Sequence, residues 1–458
     1  MRNTTRLLDI IRRTQEGPLV EEEEFNSQHV TRGIYRVVKD YEIKLKSDQI
    51  VNMDDALADR VWEAAIDFLA SCGVYCQTTG RVIIHSKEEI EKILRDAPRQ
   101  VWLGRGTDAC LEVARNVTDP RVPLNMGSPI GSPISEELFV PVMQSYVQEP
   151  NVDMTCAASL MTVYGHEIRT RSPLEILAAW HEVDLMRQVL HKAGRPGMAW
   201  TGLTMSISDA GQLSAAGPQG LLPTDMFTFG VVSELKTNYE ILNKLAHGVR
   251  MGAIIDPYAN PIYGGLGGGV EGQAVLITAA MVALSVVFMA AMCGSSPTHP
   301  FHFNDTGPEV MRATSLAFQA LARNSHLMTN LTLTPVGGPG TRTLLYECVA
   351  YSVMSTVSGI SRMLGPRSAT GAVAAHFSGL EARFNGEVLK ASAKLERGKA
   401  EEIVQRALEK YKGDLDKKPY GKPFQEVYDL NTVQPTQEWL KTYDEIKNEA
   451  AGWGLALD

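Results

Sequence analysis

The chain has 458 residues, 44% hydrophobic and 21% charged, enough to bury a large core in two or three domains or in one large α/β unit with extensions. Its 44 Lys and Arg against 53 Asp and Glu leave a net charge of −9, and no basic stripe interleaves with aromatics, which excludes the electrostatic footprint of a nucleic-acid binder. The six cysteines, scattered through apolar surroundings, read as reduced, buried thiols of a cytoplasmic protein and not as a disulfide framework.

The first segment, residues 1–115, alternates charge and apolarity at helical period and reads as a helical N-terminal extension. It opens on MRNTTRLLDIIRRTQEG, which lacks the sustained apolar core of a secretory signal. Around VYCQTTGRVIIH a small hairpin is predicted, and HSKEEIEKILRDAP follows as a helix with Ser86 as N-cap, Glu89 completing a capping box and Pro98 beyond its end.

Residues 116–380 change texture. Short apolar runs of small residues, VPLNMGSP, DMTCAASLM, GMAWTGL, RMGAIID, PIYGGL, PTHPFHF, HLMTNLTLT and ATGAVAAHF, are strand candidates, most of them followed by a helical pattern. One helix carries Ser172, Pro173 and Glu175 as cap, N1 proline and capping box, and closes at Gly194. Alternation of this kind predicts a TIM (β/α)8 barrel. The run AVLITAAMVALSVVFMAAM, Ala274 to Met292, has the length of a membrane span but neither basic flanks nor an aromatic belt, so a fully buried helix is expected and no membrane is implicated. Residues 381–458 are charged and helical, a tail expected to pack on the barrel or on a neighbouring subunit.

In such a barrel, chemistry belongs to the C-terminal ends of strands and the loops after them. That rule brings Thr201 with its hydroxyl neighbours Thr204, Ser206 and Ser208, Tyr258, the glycine loop after Tyr263, His299, His302, Thr332, Thr334 and His376 toward one cavity. GGLGGGVEG has GxGxxG spacing, but no ribose-binding acid lies about twenty residues on, so a tight loop is the better reading. His299 and His302 are three apart, poor geometry for one metal on a regular strand, and one inward histidine acting as proton carrier is expected instead. TPVGGPGTR is either an anion site with Arg342 as counter-charge or a strained turn shaping the cavity.

Several blocks go further. GSPISEELFVPVMQSY, AGRPGM, PIYGGLGGGVE, SGLEARFNGEV and GKPFQEVYDLNTVQPTQEW resemble the monomethylamine methyltransferase family of methanogens, in consistent register from about Ala56 to the C-terminus. The resemblance implies a barrel, commonly a homohexamer, that moves a methyl group from a small amine to the Co(I) of a separate corrinoid protein. It also implies a pyrrolysine, whose imine captures the amine, at the position aligning with Thr201. Two glutamates, a glutamine and a tyrosine of the family fall on Thr228, Tyr258, Thr332 and Thr334.

A threonine forms no covalent adduct with an amine. The expectation is therefore methyl transfer without pyrrolysine, from a small N-methyl or quaternary amine and not monomethylamine. Trp200 and Tyr258 would hold the cation, Thr204, Thr228, Thr332 and Thr334 the polar end, with Thr201 at the centre and His299 able to protonate a leaving group. No cofactor is expected to be held tightly and no metal: the cobalamin arrives on the partner, because the carrier motif Asp-x-His-x-x-Gly is missing, Ala374 standing in place of Asp. The rival readings are a zinc-dependent methyltransferase for a methanol- or thiol-like donor, through His299, His302 or the cysteines, and a non-catalytic binding barrel.

Overall fold

The computed structural model describes residues 2–45 and 48–457. Eight short parallel strands ring a common interior in chain order: β1 (Leu124–Met126), β2 (Thr155–Cys156), β3 (Trp200–Thr201), β4 (Met226–Gly230), β5 (Ile254–Ala259), β6 (Cys293–Ser295), β7 (Thr329–Thr332) and β8 (Arg362–Leu364). Strands β4 to β8 and then β1 form one six-stranded parallel sheet, and β2 pairs with β3. A parallel bridge between Met126 and Met154 joins β1 to the β2 side. Between β3 and β4 the Asp225 carboxyl accepts the Trp200 backbone N–H.

After each strand comes a helix: α1 (Glu136–Val147), α2 (Pro173–Lys192), α3 (Asp209–Ala215), α4 (Tyr239–Met251), α5 (Val270–Val287), α6 (Pro308–Asn324), α7 (Arg342–Val357) and α8 (Gly379–Ser392). This alternation is a mixed α/β, TIM-like fold. α5 is the long apolar run met in the sequence. It lies inside the protein, with Val275, Leu276 and Ile277 at 0% exposure, each such side chain contributing about 1.5–3 kcal/mol of burial.

The count of eight strands conceals three misplacements. PIYGGL is a loop touching its neighbour through one bridge, Ile262 to Thr298; PTHPFHF is a turn following a strand three residues earlier; and ATGAVAAHF is a 3-10 turn. The strands missed are β4, β6 and β8. β4 (MFTFG) is apolar on both faces apart from Thr228, β6 is small and short, and β8 begins with an arginine. The capping box expected at Ser172 does not form: Glu175 is buried and turns inward to accept the Ser208 N–H (2.9 Å) and hydroxyl (2.6 Å). The box at Ser86 and Glu89 forms as expected, as does the hairpin of Val74–Cys76 with Arg81–Ile83.

Before the barrel lie helices at Arg2–Glu16, Arg32–Asp40, Asp55–Cys72 and Lys87–Arg95, then the hairpin Gln100–Leu103 with Cys110–Val113. The hairpin enters the barrel interior from below with Leu103 and Glu112, both 0% exposed. α8 runs across the expected boundary at residue 380, and beyond it the helices Arg397–Tyr411 and Gln437–Gly452 pack back on this chain, where Trp439 Nε1 donates to Ser378 Oγ (3.3 Å).

Inward positions follow the strand period of two. In the lower layer Met126, Met154, Met226, Met292 and Met328 make an apolar cluster. On top of it sits Arg362, 0% exposed, its guanidinium bonded to Asp256 by Nη2 at 2.7 and 2.8 Å and lying 3.4 Å from Glu112. Its other nitrogen, Nη1, points at the thioethers of Met226 (3.0 Å) and Met154 (3.5 Å). Burial opposes the charge on Arg362, but Asp256 and Glu112 more than offset it and hold the group protonated; burial pushes Glu112 up to about 7. Breaking one partner of a buried pair strands the other charge. Arg362→Met is therefore expected to cost about 3–5 kcal/mol in chemical denaturation, and Arg362→Met with Asp256→Asn less than the sum of the single changes.

Candidate active site

A cavity of about 360 Å³ opens at the C-terminal ends of the strands. Its wall takes Cys156 from β2, Ser206 and Ile207 from the loop after β3, Thr228 and Gly230 from β4, Tyr258 from β5, Ser296 after β6, Thr332 and Thr334 from β7 and its loop, and Leu364 and Arg367 from β8 and its loop. The wall is thus assembled from the ends of separate strands and the loops after them, with Ile130 after β1, which is why no single motif marks the site.

Each wall group is fixed from behind. The Tyr258 hydroxyl accepts from Arg362 Nη2 (3.1 Å), and its ring lies flat against Gly294, where any Cβ would overlap ring carbons. Thr228 Oγ1 donates to Asp256 Oδ2 (3.0 Å), and Thr332 Oγ1 to Asp305 Oδ2 (3.4 Å). Both hydroxyls spend their proton on carboxyls outside the cavity, so they offer oxygen lone pairs to its interior. Asp305 also accepts the Thr334 N–H at 2.8 and 3.0 Å; burial, with Glu347 adding to it, pushes Asp305 up to about 8. Burial likewise drives the Cys156 thiol far above its usual range, so it is no thiolate nucleophile.

Of the residues singled out in the sequence, Ser206, Thr228, Tyr258, Thr332 and Thr334 meet here. The others do not line the cavity. Trp200 faces outward, into a separate cleft with Arg105, Pro218 and Asp225, so it and Tyr258 do not share a cage. Thr204 is buried and structural, its hydroxyl accepting the Leu160 N–H (3.0 Å). Thr201 points into the barrel, 0% exposed, with its hydroxyl unpartnered among the described residues. The loop after it is pinned by Glu182, which accepts the N–H groups of Leu203, Thr204 and Met205 at 3.1, 2.9 and 2.8 Å.

His299 sits half-buried in a turn, stacked on His302 with ring centroids 4.2 Å apart, and its Nδ1 accepts the His302 N–H (3.2 Å). Burial, followed by the neighbouring His302, lowers its pKa. No group of three His, Cys, Asp or Glu poised for a metal occurs among the described residues. The TPVGGPGTR turn is occupied by the chain itself: Glu347 accepts the N–H groups of Val336 (2.9 Å) and Gly337 (2.8 Å), and Arg342 pairs with Glu445 (2.6 Å) of the tail.

Sequence reasoning passed over Arg367, Asp305, Ser296 and the Arg362 network. The signal for Arg362 and Arg367 was present as two arginines five apart in an otherwise apolar and small-residue stretch, SRMLGPRSATG.

The fold and the cavity define a TIM-like barrel enzyme whose polar pocket lies at the C-terminal strand ends. The family model described as monomethylamine methyltransferase MtmB matches residues 5–455, and the chain belongs to that family. It is 31% identical over 449 residues to monomethylamine methyltransferase MtmB2 of Methanosarcina acetivorans, covering 98% of both chains, and 32% identical over 409 residues to MtmB3 of Methanosarcina barkeri, covering 89% of both. The crystal structures of Methanosarcina barkeri MtmB and of a hydroxylamine MtmB complex each superpose with a TM-score of 0.94 at 29% identity over 98% of both chains. The chain is a corrinoid-dependent methyltransferase.

Asp305 titrates far above an unfolded carboxyl near 3.8, so the folded state holds a proton that the unfolded state releases. Stability is greatest below pH 4 on this account and is lost as pH rises toward 8. Tm is expected to fall between pH 5 and pH 8, and Asp305→Asn to flatten that slope; a wild-type Tm that rises across this window would contradict a neutral Asp305.

Proposed function

We propose that the protein moves a methyl group from a small N-methylated or quaternary amine, not monomethylamine, to the Co(I) of a cobalamin carried by a separate corrinoid protein, without pyrrolysine. The observation that carries the reading is the chemistry of the cavity wall. It has hydroxyls, one phenol ring, apolar contacts and the Arg367 guanidinium, but no carboxylate to manage the protons of a primary amine and no group able to capture it covalently.

A quaternary donor needs neither. As its C–N bond breaks, the electron pair stays on nitrogen, which leaves as a neutral amine; no proton has to be delivered, and the new bond to carbon uses the electron pair of Co(I). The chain's own task is then positional. Tyr258 lies along the cation, the lone pairs of Thr228 and Thr332 face it, and Thr334 closes the wall, holding one methyl toward the mouth. Thr201 supports this layer from beneath, while Trp200, Thr204 and His299 have no part in it. Around the mouth, Ile207 (40% exposed), Ile262 (44%), Phe301 (77%) and Phe303 (57%) leave apolar surface for the partner to cover. The same reading makes the enzyme a cytoplasmic homohexamer, with residues 1–115 and the tail beyond α8 as additions to the barrel.

The test is the full-length protein with a reduced corrinoid protein and a panel of methylated amines, following the visible spectrum for methyl-Co(III). Quaternary or N-methyl donors are expected to react and monomethylamine not to; efficient monomethylamine turnover would sink the reading. Thr228→Val and Thr332→Val should raise donor KM about 2- to 10-fold, the worth of one hydrogen-bonding group, and Thr201→Val should weaken donor binding more than it slows transfer. His299→Ala is expected to leave both constants within about twofold.

A further inference from the structure

The cavity holds one charged side chain on its wall, and it is a cation. Arg367, on the loop after β8, reaches the cavity beside Thr332, Thr334 and Leu364. No carboxylate pairs with it among the described residues, and its buried Nε has no hydrogen-bond partner. Nearby Asp305 is committed to the Thr334 N–H and the Thr332 hydroxyl. Room for the guanidinium is built into the backbone: Gly371 stands against it with φ +67°, and any Cβ there would overlap Nε and Cζ. A half-buried guanidinium with an open donor presents a planar fork that suits a carboxylate.

This placement bears on the donor. A plain quaternary cation would enter a pocket whose wall carries a guanidinium, with only the Asp305 carboxyl behind the wall acting on it, and would gain nothing from that positive group. A donor that is cationic at one end and anionic at the other meets complementary chemistry at both: the Tyr258 ring and threonine oxygens for the ammonium, the guanidinium for the anion. The volume of about 360 Å³ accommodates a molecule of that size.

We propose that Arg367 is the anion-recognition residue of this site and that the methyl donor is a zwitterion, an N-methylated amino acid whose carboxylate Arg367 binds while its ammonium methyls face the mouth. The assignment rests on the methyl-transfer reading above, and its chemistry is unchanged: nitrogen keeps the C–N pair and leaves as a neutral amine, now still carrying the carboxylate held by Arg367.

Binding is measured by calorimetry on the full chain alone, without the corrinoid protein, so that recognition is read separately from transfer. The probes are N,N,N-trimethylglycine, choline as its analogue with a hydroxyl in place of the carboxylate, tetramethylammonium and acetate. Wild type is expected to bind N,N,N-trimethylglycine about 10- to 100-fold more tightly than choline, the worth of a charge-assisted pair. Arg367→Met should abolish that preference while leaving the weak tetramethylammonium affinity unchanged or improved, and Arg367→Lys should restore part of it. Equal affinity for N,N,N-trimethylglycine and choline, binding of choline alone, or no binding by any probe overturns the proposal. Binding with the expected preference but no methylation of the corrinoid partner would leave Arg367 as an anion site and count against the transfer reading alone.

Discussion

One buried guanidinium organises the barrel interior. Arg362 rises from the first residue of β8 into the middle of the ring, and what touches it comes from separate parts of the chain: Asp256 and Tyr258 on β5, Met226 on β4, Met154 before β2 and Glu112 on the N-terminal hairpin. In its satisfying orientation the Asn330 amide of β7 donates to Glu112 Oε1 (2.7 Å) and accepts from Arg362 Nη2 (2.7 Å). An ion pair of this kind does little for net stability compared with a packed apolar core. What it supplies is register. Slipping any of these strands by one residue would turn its inward set outward and leave a charge without its partner, so the network ties four strands and the hairpin to one alignment. The cavity above inherits that alignment directly, through the Tyr258 hydroxyl and through Asp256 behind Thr228.

The carboxyls around the cavity are kept behind its wall. Asp256 is spent on Arg362 and on the Thr228 proton; Asp305, its pKa raised by burial, accepts the Thr334 backbone N–H; Glu347 caps the turn before α7. Each carboxyl is thus hidden by a threonine or by the turn it fastens, and Arg367 is left as the charge on the pocket wall. A site that had to move protons on an amine would need those carboxyls in front. Here the same groups act as anchors, and the surface they leave is one of lone pairs, a ring and a guanidinium, suited to holding a charged molecule still and unsuited to acid–base work.

The architecture was legible because alternation of short apolar runs with helical segments survives errors in individual strands. Five strands were located from small apolar runs; β4, β6 and β8 were not, and glycine- and histidine-containing loops after β5, β6 and β8 were taken in their place. The cause is physical: barrel strands of two to six residues, covered by helices outside and by other side chains inside, show no alternation to detect, and an arginine at the start of β8 reads as a loop residue. The site was half legible. Tyr258, Thr332 and Thr334 came from the strand-end rule as well as from correspondence with a family, and Thr228 from the correspondence alone, whereas Trp200 and Thr204 came from adjacency to Thr201, and adjacency on a strand sends alternate side chains to opposite faces. The local signal for Arg367 was no more than a second arginine in a small-residue stretch, and its role depends on a glycine four residues on and on strands far away in sequence.

Thr201 brings these strands of argument together. It stands at the end of a strand whose neighbours in the interior are Ala199 below and Cys156 beside it, and its hydroxyl finds no partner in a fully buried setting. Leaving a hydroxyl unpaired costs about 1–3 kcal/mol, so the position would be expected to drift to valine or alanine if it served packing alone. A threonine cannot replace an electrophile, and nothing around it could raise it to a nucleophile: the nearest thiol is held protonated and the nearest carboxyls are engaged elsewhere. Donor capture by charge and shape, with the leaving group carried in by the donor itself, is the division of labour that a barrel of this family can adopt when the residue at this position supplies only an oxygen.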